Sequence, residues 1–582
     1  MSQLDWLIVF LYILIILFIG LYFSRRAGKS IEDYFLAGRK LPWWILGISA
    51  TATYSDAGLA PAVTMLVFTG GLLGNGVWWI SYMVWMPLVA VIWSKLWRRL
   101  GVLTTAELIE VRYSGKMAGI FRGVYAFFMC FGFAVILMGY VTGWLESALT
   151  PILGWSGFKM MIIFGVVAMF YTFLSGLFGA AYSDFPQFLI FLTGNIIFLP
   201  ILIDKAGGWE TIHNNIYALR GMDGGNQFFK VFLPAEGLGG LTIFAFVVQG
   251  LFFAASPAGG EGFTAQRFMA AKNEFHAQVG QFLNAFLTLV VRVFPFLVIG
   301  IVGASLYSLD SIKEPGDLWA ILVSRYSVSG LTGLLVAGII AAYMSTIDTE
   351  INWGASYLLN DIYKRFIKKD ASKKHYVWVS RFLSILMLVF AILIAHYLVD
   401  EMKAWFLFIN SVMVAFLLPL SWLRFFWYRL NIYGEMSAII GSIPLGYFIW
   451  FVMDFKDKPF YQGFLLLFGA GLLIILIVTI LTRPEKKETL MDFYNRCKPP
   501  GFWKVITSEL KKEETIQRKK EIINDITDCL IGIVICGGSI MSVISILAQN
   551  PVIFIFSATI TIMCIFLFIR RWKKKEVFSS LR

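Results

Sequence analysis

The feature that most constrains this chain is a succession of apolar runs of about 20 residues, the length that an α-helix needs to cross a bilayer. The first run covers residues 5–24 and the last covers residues 551–570. Within lipid, only helices and closed barrels satisfy every backbone hydrogen bond internally. The sequence therefore predicts an all-α polytopic membrane protein with about 15 transmembrane helices, and the lipid bilayer as its surroundings.

The composition supports this class and excludes others. Hydrophobic residues make up 58% of the chain and charged residues only 15%, whereas soluble domains contain about 25% charged residues. The net charge of +13 comes from Lys and Arg in short connections, which the positive-inside rule explains without a nucleic-acid partner. The five cysteines and four histidines show neither a disulfide framework nor metal-ligand spacing.

The basic connections also predict the orientation. Arg25 and Arg26 follow the first apolar run and no basic segment precedes it, so this run reads as a retained helix with the N-terminus outside. The basic stretches KLWRR (95–99) and KRFIKKDASKKH (364–375), and the C-terminal RRWKKK (570–575), then all lie inside. We expect a multi-pass protein of the plasma (inner) membrane with a cytoplasmic C-terminus.

Two apolar runs contain residues that oppose a helix. The second run carries TATYSDAG (51–58) before Pro61, and the seventh carries SPAGGEG (256–262). An interruption leaves backbone carbonyls without helical partners, which membrane proteins tolerate only beside protein or a water-lined cavity. Paired interruptions in corresponding helices are typical of the binding site of inverted-repeat transporters. For the second run alone, the alternative is a proline kink with Ser and Thr satisfying the backbone.

A polar cluster lies inside the run that covers residues 330–362. Ser345, Thr346, Asp348, Thr349 and Glu350 fall within two helical turns. Polar groups at membrane depth are costly, so such a cluster indicates a functional site. The alternative is structural, with hydroxyls bonded to their own helix and acids close to an aqueous end.

Five stretches carry motifs in the order of a known family: GRKLPWWILGISATAT (38–53), SGLFGAAYSDFPQF (175–188), QRFMAAK (266–272), AAYMSTIDTEINWGASYLLNDIY (341–363) and LRFFWYRLNIYGEMSAIIG (423–441). From about residue 1 to 480 the chain resembles the sodium:solute symporters, which include the bacterial sodium/proline and sodium/galactose symporters. The resemblance implies a five-plus-five inverted-repeat core of the leucine-transporter type. It also implies Na⁺ as coupling ion and no organic cofactor.

The resemblance divides the chain into a core and additions. An extra N-terminal transmembrane helix and its cytoplasmic loop precede the ten-helix core, and further helices and a charged cytoplasmic linker follow it. The last two helices form a hairpin that we do not expect to contact the solute. The predicted segments are 1–41 (extra helix and loop), 42–430 (core), 431–482 (two further helices), 483–528 (linker) and 529–582 (hairpin and basic tail).

The resemblance also implies a sodium site between the second and ninth helices. A hard monovalent cation suits neutral oxygen ligands, as the oxygen ligands of calcium and magnesium indicate. The implied ligands are the carbonyl oxygens of Ala52, Ser55 and Ala342 and the hydroxyls of Ser345 and Thr346.

Two further acids belong to this hypothesis. Asp184 matches the family's aspartate near the inner sodium exit, as a transient site or, with Ser345 and Thr346, as part of a second sodium site. An acid favoured at a helix N-terminus is the alternative for Asp184. Asp348 lies three residues after Ser345, hence on a similar helix face. We hypothesise that Asp348 raises sodium affinity or couples a proton.

The sequence constrains the solute pocket less closely than the sodium site. Sugar-binding positions of the galactose symporter correspond here to Tyr54, Leu59, Trp78, Ala254, Thr288 and Leu407, which does not predict the same sugar pocket. Asp56 could hold an ammonium or several hydroxyls, Arg292 a carboxylate, and Glu261 adds a second acid. Alternatively, these charges pair only with one another. Further cavity candidates are Trp78, Ser81, Trp405 and Asn410.

These observations predict a sodium-coupled symporter that imports a small polar organic solute, amino-acid-like or organic-acid-like, by alternating access. A sodium/sugar or polyol symporter is the second hypothesis, and a transporter-like membrane sensor that signals through residues 483–528 is the third. A membrane-embedded enzyme is not predicted, because the sequence contains no metal cluster, no nucleophile with its base and no phosphate loop.

Overall fold

The computed structural model describes residues 1–232, 238–254, 259–398, 417–455, 458 and 460–574. Within these ranges the chain is helical, with short 3₁₀ and π segments and two isolated β-bridges, which confirms the all-helical prediction. The α-helices are α1 Gln3–Ala27, α2 Ile31–Leu36, α3 Trp43–Tyr54, α4 Leu59–Gly70, α5 Gly76–Leu88, α6 Ser94–Leu100, α7 Glu107–Arg112, α8 Gly115–Phe127, α9 Ile136–Leu153, α10 Gly157–Lys205, α11 Trp209–Phe228, α12 Leu238–Phe253, α13 Gly262–Ala270, α14 Glu274–Phe286, α15 Phe294–Leu306, α16 Leu318–Tyr326, α17 Leu331–Tyr357, α18 Lys373–Leu398, α19 Leu417–Phe426, α20 Ile432–Tyr447, α21 Phe460–Leu481, α22 Lys487–Cys497, α23 Lys504–Thr507, α24 Lys512–Leu547 and α25 Pro551–Lys574.

Eleven of the described helical segments are long and apolar enough to cross a membrane, so the chain is a multi-pass membrane protein. The count of about 15 spans stays a prediction, as do the inverted repeat and the location of the termini. One reason for the difference is that the second predicted span consists of two helices, α3 and α4, each of 12 residues. Another is that α10 covers two predicted spans.

The 49-residue helix α10 reverses direction at Gly176. A straight helix of that length would extend about 74 Å, more than twice the thickness of the hydrocarbon core. Gly176 has φ +52°, and a Cβ at this position would lie 2.2 Å from the Tyr34 carbonyl oxygen. Across the reversal, the Gln187 Nε2 donates to the Tyr171 hydroxyl at 3.4 Å. The predicted connection near Gly179 is therefore made three residues earlier.

Helix α17 is enclosed along almost its whole length. Every residue from Leu335 to Tyr357 is buried, as expected for a helix that has protein on all sides. It packs against α10, α1 and α3. The last helix, α25, differs because large apolar residues such as Val552 and Phe556 are exposed, which suits a surface that faces lipid.

The charged half of α24 attaches the C-terminal hairpin to the rest of the fold. Lys95, in the first turn of α6, binds Glu521 at 3.2 Å and also contacts Asp525. Within the hairpin, Arg571 binds Asp528 at 2.8 Å. Salt bridges therefore hold together parts of the chain that are more than 400 residues apart in sequence.

A second group of charges joins α7 to α8 and to the π-helical segment Leu358–Ile367 that follows α17. Glu110 accepts hydrogen bonds from Arg122 and Arg365, each at 2.7 Å. Burial by itself raises the pKa of Glu110, but the two guanidinium groups outweigh it and hold the pKa below the ordinary 4.5. The stabilisation is therefore complete above pH 4.5 and is lost as the pH falls through the lowered value.

We expect hydrogen exchange of residues 107–112, corrected for its intrinsic pH dependence, to rise below pH 4.5. Glu110→Gln should show the faster exchange already at pH 7, because its uncharged amide lacks the attraction to Arg122 and Arg365. Glu513→Gln, in the charged part of α24, is the control. Exchange that is the same in wild type and Glu110→Gln at pH 7 would refute the role of these ion pairs.

Candidate functional site

Both predicted interruptions coincide with helix ends. Helix α3 ends at Tyr54 and α4 begins at Leu59, with Pro61 in its first turn, where the missing N–H is tolerated. In the seventh predicted span, α12 ends at Phe253 and α13 begins at Gly262. Pro257 of that interruption lies outside the described residues.

The end of α3 lies against the polar cluster of α17. The Ser345 hydroxyl donates to the Ala52 carbonyl at 3.1 Å and to the Ala342 carbonyl at 2.9 Å. The Thr346 hydroxyl donates to the Thr53 carbonyl at 3.0 Å and to the Ala342 carbonyl at 3.3 Å. These carbonyl and hydroxyl oxygens converge in a buried position, the donor set that a hard cation prefers.

A small cavity, too narrow to admit a water molecule in this structure, lies at this point of contact. Four of the five residues implied as sodium ligands line it, whereas Thr346 lines the larger cavity described below. Asp184 and Asp348 are not part of this lining. The small cavity is lined by Ala52, Ser55, Ala342 and Ser345, together with Gln187, Phe188 and Phe191 of α10.

Asp184 is fully buried and bound to a cation that sequence reasoning missed. Its Oδ2 accepts from the Ser49 hydroxyl at 2.5 Å and lies 3.4 Å from the Arg267 Nη2. Its Oδ1 has no hydrogen-bond partner among the described residues. Arg267 also donates to the Thr53 hydroxyl at 2.7 Å and to the Thr349 hydroxyl at 3.0 Å. The signal available in the sequence was the position of Arg267, which lies in QRFMAAK (266–272) shortly after the interruption at residues 256–262.

The Asp348 carboxylate faces α10. Its Oδ2 accepts a 2.6 Å hydrogen bond from the Tyr171 hydroxyl, and its Oδ1 accepts from the Thr349 hydroxyl at 3.2 Å. Gln187 donates to the Tyr171 hydroxyl and extends this network to the Tyr12 hydroxyl, at 3.2 Å. Asp348 therefore lies on the helix of Ser345 but has its own set of partners.

A larger cavity of about 540 Å³ lies next to this region, within the size range of small-molecule sites. Thr53 and Thr346 line it, so it borders the polar contact between α3 and α17. Of the predicted solute residues it contains Asp56, Trp78, Ser81 and Arg292. The other polar lining residues include Asn75, Gln249, Thr288 and Glu350, and the aromatic ones include Tyr82, Tyr140, Trp144, Phe263, Trp450 and Phe464.

Asp56 and Arg292 line this cavity without forming an ion pair with each other among the described contacts. The Asp56 Oδ1 accepts from the Gly58 amide at 2.9 Å. Arg292 donates to the Ser55 hydroxyl at 3.4 Å and to the Thr288 carbonyl at 3.3 Å. A Cβ on Gly58 would lie 2.7 Å from the Trp144 indole and 3.1 Å from the Asp56 Oδ1. The glycine therefore lets an aromatic ring approach the carboxylate.

The structure corrects the expectation that Glu261 faces the solute cavity. Glu261 is not in the lining; it accepts from Arg424 at 3.1 Å, from the Tyr125 hydroxyl at 2.5 Å and from the Ser421 hydroxyl at 3.2 Å. Arg424 binds Glu435 of α20 as well, at 2.6 Å. The alternative in which Glu261 pairs with Arg292 is thereby also wrong. An ionised carboxylate is costly in a buried position without a cation, and Arg424 of α19 is the cation beside Glu261.

Two other expectations have different outcomes. Trp405 and Asn410 lie outside the described residues.

The cavity is also lined by Trp450, and by Phe464 and Leu467 of α21, although the segment 431–482 was predicted to lie outside the transport core. No described residue of the C-terminal hairpin lines the cavity, and the prediction for the hairpin remains an expectation.

Comparison with known proteins gives a consistent result. Residues 34–442 match the sodium:solute symporter family. The chain is 26% identical to a sodium/glucose cotransporter of Vibrio parahaemolyticus over 79% of this chain and 88% of that protein. It is 26% identical to a sodium/sialic acid symporter of Aliivibrio fischeri over 84% of this chain and 94% of that protein.

A solved structure shares the fold. A Na⁺-coupled sialic acid symporter in a substrate-bound outward-open state has a TM-score of 0.71, with 20% sequence identity over 84% of this chain and 99% of that one. A human sodium/myo-inositol cotransporter is 26% identical over 84% of this chain and 74% of that protein.

Proposed function

The chain belongs to the sodium:solute symporter family, and we propose that it imports a small polar organic solute into the cell, across the inner membrane, by sodium-driven alternating access. The main observation that supports this proposal is the contact between the backbone carbonyls at the C-terminal end of α3 and two side-chain hydroxyls of α17. Ser345 and Thr346 reach the Ala52 and Thr53 carbonyls at 3.1 and 3.0 Å. The sodium ligands in this proposal are the carbonyls of Ala52, Ser55 and Ala342 and the hydroxyls of Ser345 and Thr346.

The geometry offers a physical route for coupling. Ser55 lines the small cavity and the next residue, Asp56, lines the large one. Neither residue is in a helix, but each is tied to a helix end, because the Ser55 amide donates to the Thr51 carbonyl at 2.9 Å and the Asp56 carbonyl accepts from the Leu59 amide at 3.2 Å. Ligation at Ala52 and Ser55 orders this segment and positions Asp56 for the solute. Asp184, with its unpartnered Oδ1, and Asp348 are the proposed exit or second-site and accessory residues.

For the solute, we favour an amino-acid-like or organic-acid-like metabolite. Arg292 can bind a carboxylate and Asp56 an ammonium, since charge-assisted hydrogen bonds are the strong ones. Arg292 and Asp56 line the same cavity, and among the described contacts they form no ion pair with each other. Each charge is therefore available to a solute. Trp78 and Ser81 complete the proposed wall.

A sugar or polyol is the second candidate. The relatives that carry glucose, sialic acid and myo-inositol in their names favour it. The cavity also offers Asn75, whose side-chain oxygen is buried without a described partner, and Gln249, which accepts from Ser81 at 3.2 Å. Amide groups of this kind suit hydroxyl-rich solutes.

Uptake into proteoliposomes tests the proposal. Purified protein is first screened by thermal stability with amino acids, organic acids, sugars and nucleosides, with and without sodium, because a ligand of the folded state raises stability. The solutes that stabilise the protein are then followed during uptake driven by an inward sodium gradient. Uptake that is independent of sodium contradicts the symporter, and sodium-dependent binding without flux favours a sensor.

Asp56→Asn separates the two solute classes. We expect the affinity for an amine-bearing solute to fall at least about tenfold, because a charge-assisted hydrogen bond is lost. A neutral sugar keeps an amide partner and should lose less. The Michaelis constant for uptake gives the result, with Asp310→Asn in an exposed loop as control. An unchanged Michaelis constant for an amine-bearing solute would argue against Asp56 as its partner.

A further inference from the structure

Glu350 is an acid of the large cavity with no assigned role. It lies one turn after Thr346 on α17 and lines the cavity. Its side chain is fully buried, and neither carboxylate oxygen has a hydrogen-bond partner among the described residues. An ionised carboxylate without a partner is costly in a buried position, so a cationic group that enters the cavity is stabilised beside Glu350.

The arginine that acts electrostatically on Glu350 is Arg267, which does not line the cavity and whose N–H groups are directed elsewhere. The Nε donates to the Ser49 hydroxyl at 2.9 Å and the Nη1 to the Phe263 carbonyl at 3.4 Å. The Nη2 donates to Thr53, Thr349 and Asp184. No hydrogen bond from Arg267 reaches Glu350 among the described contacts.

Counting the charges around the coupling-ion site gives a first balance. In their ionised forms, Asp184 and Asp348 contribute two negative charges and Arg267 one positive charge. One negative charge remains, which balances one monovalent coupling ion. Glu350 is not needed for this balance.

Counting the charges in the large cavity gives the second balance. The ionisable lining residues are Asp56, Glu350 and Arg292, with the tyrosines Tyr54, Tyr82 and Tyr140, which are neutral at pH 7 in their ordinary state. With all three side chains ionised, Asp56 and Arg292 balance each other, and the charge of Glu350 remains. Resting on the proposed function, we propose that Glu350 is a solute-binding residue that selects solutes with a net charge of +1, such as a basic amino-acid-like metabolite or an amine.

The aromatic lining of the cavity suits the same class of solute. Trp78 and Tyr82 meet edge to face with ring centroids 5.9 Å apart, and Tyr140 and Trp144 do so at 6.3 Å. The faces of such rings attract organic cations, and methylated ammonium groups in particular. A cationic solute therefore gains from both the carboxylate and the rings.

A cysteine reporter tests the charge of the cavity without knowledge of the solute. Ser81→Cys is combined with Cys564→Ser, because Cys564 is the one native cysteine that is not buried. The rates of modification by a trimethylammonium-ethyl and a sulfonato-ethyl methanethiosulfonate are compared. We expect Glu350→Gln to lower the ratio of cationic to anionic rate roughly tenfold, as removal of a nearby unit charge predicts.

Glu350→Asp, which keeps the charge, should preserve the ratio, and Glu513→Gln should leave it unchanged. This pair separates a charge effect from misfolding. A ratio that Glu350→Gln does not alter would overturn the proposal.

The solute itself gives the second readout. The solute with the highest sodium-driven uptake should carry a net charge of +1, and Glu350→Gln should raise its Michaelis constant at least about tenfold. A neutral or anionic solute as the best substrate overturns the proposed selectivity while leaving the symporter intact. The absence of sodium-driven uptake for every solute counts instead against the proposed function, and the reagent ratio still decides the role of Glu350.

Discussion

Replacing both Ser345 and Thr346 by Ala is expected to abolish sodium stimulation of solute uptake and leave the protein folded. The two hydroxyls are the side-chain members of the oxygen set at the end of α3 and bond to the Ala52 and Thr53 carbonyls. Hydrogen-bond losses of about 1 kcal/mol each are tolerable for folding, since α17 is buried along its length. Loss of two ligands should lower sodium affinity by roughly a hundredfold or more, by analogy with charged hydrogen bonds.

The measurement is initial uptake as a function of sodium concentration, together with thermal stability in detergent. Ser356→Ala is the matched control, because Ser356 is on the same helix and its hydroxyl donates within that helix, to the Trp353 carbonyl at 2.6 Å. Intact sodium dependence in the double variant would show that the ion binds elsewhere.

Arg424→Met is expected to lower the free energy of unfolding by about 3–5 kcal/mol, the effect of breaking a buried ion pair from one side. Arg424 lies between Glu261 and Glu435, at 3.1 and 2.6 Å, and all three side chains are buried. Without the guanidinium, two carboxylates remain in a low-dielectric interior. The start of α13 should then lose its attachment to α19 and α20.

A rescue variant makes this prediction specific. The triple substitution Arg424→Met, Glu261→Gln and Glu435→Gln removes all three charges, and replacing a complete buried ionic group is often close to neutral. We expect it to regain most of the lost thermal stability. Arg429→Met, which removes hydrogen bonds only to the carbonyls of Ile480 and Thr482, is the control. A triple variant no more stable than Arg424→Met would contradict the charge argument.

The local signals of the sequence located the principal elements of the site. The breaks at residues 51–58 and 256–262 were visible as helix-opposing residues inside apolar runs, and helices end at both places. The hydroxyls of Ser345 and Thr346 were visible as a costly polar cluster. Because hydropathy and helix propensity are properties of a few consecutive residues, they predict where helices lie and where they stop.

The partners of the buried charges were not predictable in this way. Glu261 was assigned to the cavity, but Arg424, 163 residues away, binds it. Arg267 and Glu350 received no assignment, although Arg267 binds Asp184 and Glu350 lines the cavity with no hydrogen-bond partner among the described residues. The sequence shows which charged side chains are present. The distances between these side chains depend on how helices that are far apart in the chain pack against one another.

By itself, the sequence determined the membrane class, the interrupted helices and the chemistry of the polar cluster, because the lipid environment imposes these on each segment separately. Only the tertiary structure decided which carboxylates are bound by arginines and which, like Glu350, line a cavity with no ion pair to another described residue. It also brought Trp450 and Phe464, from beyond the predicted core, to the cavity wall. The physical reason is that electrostatic pairing and cavity shape depend on atoms within a few ångströms of one another, whatever their separation in the chain.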